Sequence, residues 1–316
     1  MRSAENTVVG QVLSASFQEG EIQVRKNPKT SGTDGVSRRQ VLAGATALAS
    51  SALVSGIAKA QPQSQGGTRQ GAGAGSKVAL VTGSSRGIGA AIARRLGRDG
   101  YSVTVNCEVN RELAAQVSRE IEAGGARAIW RQADVREPKA VKELFDACED
   151  AFGGVDIVVA NAGVMHLAPF AEMSDDAFSH MIDVNIRGGF NTLREAARRV
   201  RDGGRIFTLS STITKFRTAA YGPYSASKAA QDMYASVLAK ELAERNISVN
   251  ALAPGVVNTT LFTDGKTEAR IAAFAQRTPH GRIGEPEDIA NVIALLCGDD
   301  AYWVNGEVVY ANGGIA

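Results

Sequence analysis

Lys77-Val78-Ala79-Leu80-Val81-Thr82-Gly83-Ser84-Ser85-Arg86-Gly87-Ile88-Gly89 is the stretch that decides the fold. It opens with a short apolar run that stops at a glycine, the pattern of a strand buried on both faces. Over 86–98, Ile88, Ile92 and Leu96 recur at helical spacing. Gly83, Gly87 and Gly89 lie between strand and helix. Glycines there permit a tight turn and a close backbone approach to a phosphate, and the helix start adds N–H donors and positive potential. Three glycines alone are a weak signal; their place after a strand and before a helix strengthens it.

The same alternation continues outward. Apolar strand patterns fall at 101–105, 126–130, 155–160, 205–209, 247–252 and 307–310, giving seven strands with 77–82. Helical patterns fall at 111–122, 138–152, 183–201, 224–244 and 286–296, and Pro138 suits a first helical position. Strands separated by helices predict an α/β fold with a parallel sheet covered on both faces. Right-handed crossovers make it doubly wound. No internal repeat or second catalytic domain is evident.

Residues 1–60 are a different kind of sequence. Residues 1–36 are polar without apolar periodicity and read as a disordered extension. Ser37-Arg38-Arg39 precedes an Ala-rich apolar run ending at Ala58-Lys59-Ala60, which resembles a twin-arginine export signal with a small-residue cleavage site. The expected location is therefore periplasmic, with a cytoplasmic enzyme as the alternative. Gly44, Thr46, Ser50, Ser51, Ser55 and Gly56 dilute the run below what a stable membrane span requires. Residues 61–75 are rich in Gln, Gly and Ser and read as a flexible linker. The folded unit is then 76–316. The net charge of +2 gives no case for nucleic-acid binding. Three dispersed cysteines form neither a disulfide framework nor, with three histidines, a metal site.

Further motifs follow the glycine loop: Asn161-Ala162-Gly163, Asn185, Ser211, Tyr224-x-x-x-Lys228 and Pro254-Gly255. In order and spacing they resemble the short-chain dehydrogenase/reductase family, most nearly its 3-oxoacyl-carrier-protein and polyhydroxynaphthalene reductases. The resemblance covers 76–316 and implies a Rossmann sheet binding a nicotinamide dinucleotide. It implies cofactor contacts from Gly83, Ser85, Arg86, Gly87, Ile88 and Gly89, from Asp134 and Val135 at the adenine, and from Asn161, Ala162 and Gly163. Tyr224, Lys228, Pro254, Gly255, Val257 and Thr259 complete that set. NAD-preferring relatives place an acid at the end of the second strand to hold the ribose 2′-OH. The matching position here reads as Cys107, which is uncharged, and Arg86 suits a 2′-phosphate. NADP(H) is the expectation. NAD(H) stays open, because Glu108 would repel that phosphate if it pointed inward.

The reacting groups are read from Tyr224 and Lys228, four apart and so on one helix face. A tyrosine's ordinary pKa near 10 is poorly matched to neutral proton transfer; a neighbouring ammonium is expected to lower it. Tyr224 is the expected proton donor to a carbonyl and base in reverse. Tyr221 has Ser225, not lysine, four residues on. Ser211 would polarise the substrate oxygen, with Ser210 as its rival. The family implies that Asn185 holds a water leading from Lys228 to solvent, and an Asn inside a helix fits a local distortion.

The expected substrate is a small carbonyl compound or secondary alcohol. Residues 260–285 read as a substrate lid, with Leu261, Phe262, Ile271 and Phe274 as candidate walls opposite Met165, His166 and Leu167. The resemblance implies a homotetramer or homodimer. Two rival readings remain: a non-catalytic dinucleotide-binding sensor or scaffold, and an epimerase or dehydratase. The complete Asn185/Ser211/Tyr224/Lys228 set opposes the first, and the glycine spacing opposes the second.

Overall fold

The computed structural model describes residues 76–316. The expected extension (1–36), export signal (37–60) and linker (61–75) lie outside the described residues. Seven strands form one sheet: β1 (Val78–Val81), β2 (Ser102–Cys107), β3 (Ala128–Gln132), β4 (Val155–Ala160), β5 (Val200–Leu209), β6 (Ser248–Pro254) and β7 (Val308–Ala311). All pairings are parallel, in the order β3-β2-β1-β4-β5-β6-β7. The chain reverses its winding between β1 and β4, where a doubly wound sheet opens a crevice at the strands' carboxyl ends.

Alternate strand residues point to opposite faces. Val81, Val105, Val159 and Phe207 face a core covered by α1 (Gly87–Arg98), α2 (Arg111–Ala123) and α10 (Pro286–Leu296). Their neighbours Leu80, Val158 and Ile206 face the other core, under α3 (Pro138–Phe152), α5 (Gly189–Arg199) and α7 (Gly222–Glu241). Burial on both sides explains why the strands read as continuous apolar runs.

Two stretches depart from the sequence expectation. The helix placed at 183–201 is three pieces: α4 (Asp175–Met181), a π-helical segment (Ile182–Gly188) and α5. α4 begins earlier because Ser174 caps it, its side chain accepting the Ala177 amide at 3.2 Å. Strand β5 begins at Val200, which pairs with Val155. The register then slips, so that Arg205 pairs with Ile157. Gly203, at φ +79, lies in the looped-out stretch. Arg201 anchors it by donating to the Gly153 carbonyl at 2.6 Å and pairing with Asp156 at 3.2 Å. The remaining short helices are α6 (Ile213–Phe216), α8 (Thr260–Thr263) and α9 (Glu268–Arg277); the last two make up the expected lid. Among the described residues no helix is long and apolar enough to cross a membrane.

Phe207 is fully buried in the central strand β5. Truncation to alanine leaves a cavity that the sheet cannot close. Phe207→Ala is expected to cost about 3–5 kcal/mol, measured by urea unfolding.

Candidate active site

The glycine loop is held by buried polar side chains at three strand ends. Asn106, at the end of β2, accepts the Gly83 amide at 3.0 Å, and its own amide group donates to the Ala133 carbonyl at 3.1 Å. Ser84 is locked by its hydroxyl, which donates to the Val81 carbonyl at 2.7 Å and accepts the Asn106 amide at 2.9 Å. From β4, Asn161 donates to the Thr82 and Gly83 carbonyls at 2.9 and 3.0 Å. The Thr82 hydroxyl accepts the Asn161 and Ala162 amides in return.

These bonds press the loop against β4. A Cβ on Gly83 would lie 2.9 Å from the Ala162 Cα, at a φ of +60° that side chains rarely adopt. Gly87 has φ +56°, and its missing Cβ would face the Thr259 methyl at 3.5 Å. Helix α1 starts at Gly87 with no side-chain cap and no acid in its first turn. Its first amides lack intrahelical partners. An uncapped helix start beside glycines that leave room for an approaching group suits a pyrophosphate.

Asp134 and Val135 lie just after β3. Arg136 folds back on the Asp134 carboxylate through its amide and guanidinium, at 2.9 and 2.8 Å. Burial alone would raise that carboxyl; the Arg136 bonds outweigh it and hold the group below its usual range. The Val135 side chain is packed in the core, so backbone alone is free to meet a ligand there. Cys107 also faces the core, because alternation along β2 turns it away from the crevice. Glu108 is the next side chain out and is paired with Arg136 at 2.9 Å. Arg86 lies exposed at the start of α1.

The reacting groups converge on an open cavity of about 260 Å³ at the carboxyl edge of the sheet. Ser211, Tyr224 and Lys228 line it together with Asn161, Gly163 and the backbone after β6. The Ser211 hydroxyl faces the Tyr224 phenol and accepts the Ile213 amide at 3.3 Å. Ser210 instead donates to the Lys228 carbonyl at 3.3 Å, so geometry favours Ser211 over its neighbour. The Lys228 ammonium donates to the Leu209 carbonyl at 2.7 Å and sits 5.8 Å from the centre of the Tyr224 ring. The Tyr221 ring packs edge-on to Tyr224 at 6.5 Å.

The expected lowering of the tyrosine pKa is not found in the free protein. Burial pushes Tyr224 up to about 12, and the neighbouring Ser211 hydroxyl only partly offsets this. Burial also pushes Lys228 down to about 8, against the pull of Asp232 one turn on. Desolvation disfavours both charged forms, and the two groups are too deep for the ammonium to reverse it.

Asn185 sits in the π-helical segment, a distortion that often marks functional sites. Its side chain is fully engaged: it accepts the Val164 amide at 2.8 Å and donates to the Val164 carbonyl and the Ser227 hydroxyl, both at 2.9 Å. Its backbone carbonyl accepts from Gln231 at 2.6 Å. Asn185 therefore pins the loop after β4. A Cβ on Gly163 would lie 3.3 Å from its Oδ1 and 3.4 Å from the Lys228 Nζ, so glycine keeps the space between them open.

Past β6, the Pro254 carbonyl accepts the Thr212 amide at 2.9 Å, and Gly255 packs against Asn312, where a Cβ would lie 2.8 Å from its Cα. Val257 is buried and presents backbone. Of the expected substrate walls, Met165, Leu261, Phe262 and Phe274 line the cavity. Ile271, His166 and Leu167 do not; the His166 ring stacks edge-on with His180 at 5.7 Å. Missed from the sequence were Asn106, Ser227 and Gln231. Each is a buried polar residue, and a buried polar group needs a hydrogen-bond partner.

A family model described as "Enoyl-(Acyl carrier protein) reductase" matches residues 83–316. A short-chain type dehydrogenase/reductase of Picea abies is 42% identical over 76% of this chain and 92% of its own length. The chain belongs to the short-chain dehydrogenase/reductase family. A versicolorin reductase of Emericella nidulans is 40% identical over 75% of this chain and 95% of its own. Among solved structures, a short-chain dehydrogenase from Burkholderia cenocepacia in complex with NADP superposes with a TM-score of 0.72. It is 38% identical and covers 76% of this chain and 97% of its own. An angucycline C-6 ketoreductase with bound NADP gives a TM-score of 0.73 at 36% identity, covering 78% and 98%.

Gly83→Ala would force a methyl group against Ala162 at a strained φ, at about 1–3 kcal/mol. Relieving that strain moves the loop. Dinucleotide affinity is expected to fall roughly tenfold or more, measured by NADPH fluorescence titration.

Proposed function

We propose that this family member is an NADP(H)-dependent carbonyl reductase, with Tyr224 as proton donor to the substrate oxygen. The observation that carries it is the meeting of Ser211 and Tyr224 in the wall of an apolar cavity, with the Lys228 ammonium 5.8 Å from the tyrosine ring. The bound dinucleotide supplies the hydride to the carbonyl carbon, or accepts it in reverse.

The protein's own groups do the rest. A carbonyl oxygen seated between the two hydroxyls accepts from both, so negative charge developing there meets fixed donors. Tyr224 then gives up its proton. Its high pKa in the free protein keeps it protonated and ready for the reductive direction. Lys228, held by the Leu209 carbonyl, stabilises the phenolate that forms. Asn185 and Gly163 keep the space beside Lys228 clear.

Three observations support NADP(H) over NAD(H). No unpaired acid faces the ribose position, because Cys107 is turned inward and Glu108 is tied to Arg136. Arg86 stands free for a 2′-phosphate. Two similar structures hold NADP. A homotetramer is part of the same reading. Phe190 on α5 and Met233 and Val237 on α7 expose one apolar face, and Leu295 and Trp303 lie exposed on α10 and before β7. The twin-arginine-type segment supports export to the periplasm.

Initial rates of NADPH and NADH oxidation with a panel of ketones, quinones and 3-oxoacyl thioesters test the reading. Tyr224→Phe should lower turnover by roughly 10²–10⁴ with cofactor binding kept. Wild-type rates in that variant would remove Tyr224 from the mechanism. Alcohol oxidation needs the ionised tyrosine, whose pKa is raised, so its rate should climb from pH 7 to 10. Carbonyl reduction should fall over that range as Lys228 loses its proton near pH 8, and a fall in the oxidation rate would contradict the role.

A further inference from the structure

The lid helix α9 presents Arg270, Phe274 and Arg277 to the cavity, spaced as one stripe on a helix. With Lys228 these two arginines are the only charged side chains among the described residues that line it; no carboxylate does. Neither arginine has an ion-pair partner among the described residues. The Arg277 guanidinium lies 5.8 Å from the centre of the Phe216 ring and 5.7 Å from that of Phe274, which positions it against the cavity wall.

A third cation adds to the cluster. Lys266 sits over the Phe262 ring at 4.6 Å, and its ammonium is pushed down by burial and then by the Arg270 guanidinium. Asp264 draws on Lys266, but no carboxylate joins Arg270 and Arg277 in the cavity lining, and a bound anion relieves the repulsion between those two. A guanidinium fixed by aromatic rings leaves its N–H edge free for bidentate contact with a carboxylate.

Two sources of anion could answer this field: the substrate, or the phosphates of the cofactor. The uncapped start of α1 and the Gly87–Thr259 gap already form a phosphate cradle. The arginines instead share the cavity with the two hydroxyls that face a substrate. Resting on the carbonyl-reductase reading above, we propose that the substrate is an apolar carbonyl compound bearing a carboxylate, held by Arg270 and Arg277 while Ser211 and Tyr224 hold its carbonyl oxygen. The lid arginines are then specificity residues, and Phe216, Phe262 and Phe274 pack the substrate's apolar body.

The test uses the full chain and one matched pair, 4-acetylbenzoate and its methyl ester. Dissociation constants are measured on the NADP⁺-loaded protein and KM values with NADPH. The acid is expected to bind at least roughly tenfold more tightly than the ester. In the Arg270→Gln/Arg277→Gln double variant the acid-to-ester ratio should fall towards one, with ester and NADPH affinities unchanged. Arg277→Lys should keep part of the preference, because the charge remains while the planar fork is lost. A ratio near one in the wild type, an undiminished ratio in the double variant, or no measurable binding of the acid would overturn the proposal. A double variant that loses NADPH affinity instead would assign the arginines to the cofactor phosphates and also overturn it. Acid preference without turnover of either compound would strike the reductase reading and leave the anion site standing.

Discussion

Three polar side chains at the carboxyl ends of neighbouring strands hold the site together. Thr82 after β1 and Asn161 after β4 bond to each other's backbones across the point where the winding reverses, and Asn106 on β2 holds the Gly83 amide between them. A parallel sheet ends there in unpaired amides and carbonyls, and leaving them buried without partners would be costly. Satisfying them with side chains fixes the glycine loop within contact of Ala162. The loop's position in turn sets where α1 begins. The cradle for an anionic cofactor is thus a consequence of how the sheet closes its own hydrogen bonds.

The same logic governs the reacting groups one strand further on. Lys228 is buried but bonded to the Leu209 carbonyl, and Tyr224 is buried beside the Ser211 hydroxyl. Burial drives both towards their neutral forms. The free protein therefore holds an uncharged tyrosine with a lysine ammonium close by, which is what the proposed proton donation requires. Asn185 acts through geometry. The π-helical segment turns its side chain onto the backbone at Val164, and that loop carries Met165 into the cavity wall.

Much of this was legible in the sequence. Apolar runs punctuated by glycine gave the seven strands, because burial on both faces leaves no alternation to mislead. The family resemblance named Ser211, Tyr224 and Lys228, which the fold brings to one cavity, and the odd Asn185 foretold a distorted helix. Other features depend on distances that sequence does not carry. The slip between Val200 and Arg205 comes from looping out around Gly203, which no periodicity records. The direction of the Tyr224 shift depends on depth, so residue spacing pointed the wrong way. Cys107 was placed at the ribose, yet one step of strand alternation turns it into the core. Arg270 and Arg277 drew no reading from the sequence, and only the fold of the lid brings them to the cavity.

The most direct test of the central chemistry follows a single atom. NADPH carrying deuterium at the reactive nicotinamide carbon would be incubated with an aryl ketone and the full chain, and the alcohol examined by NMR. Deuterium is expected at the carbinol carbon, on one face only, with the hydroxyl proton drawn from solvent. Alcohol without deuterium at that carbon, or no alcohol from any ketone while the dinucleotide binds, would contradict hydride transfer at this site.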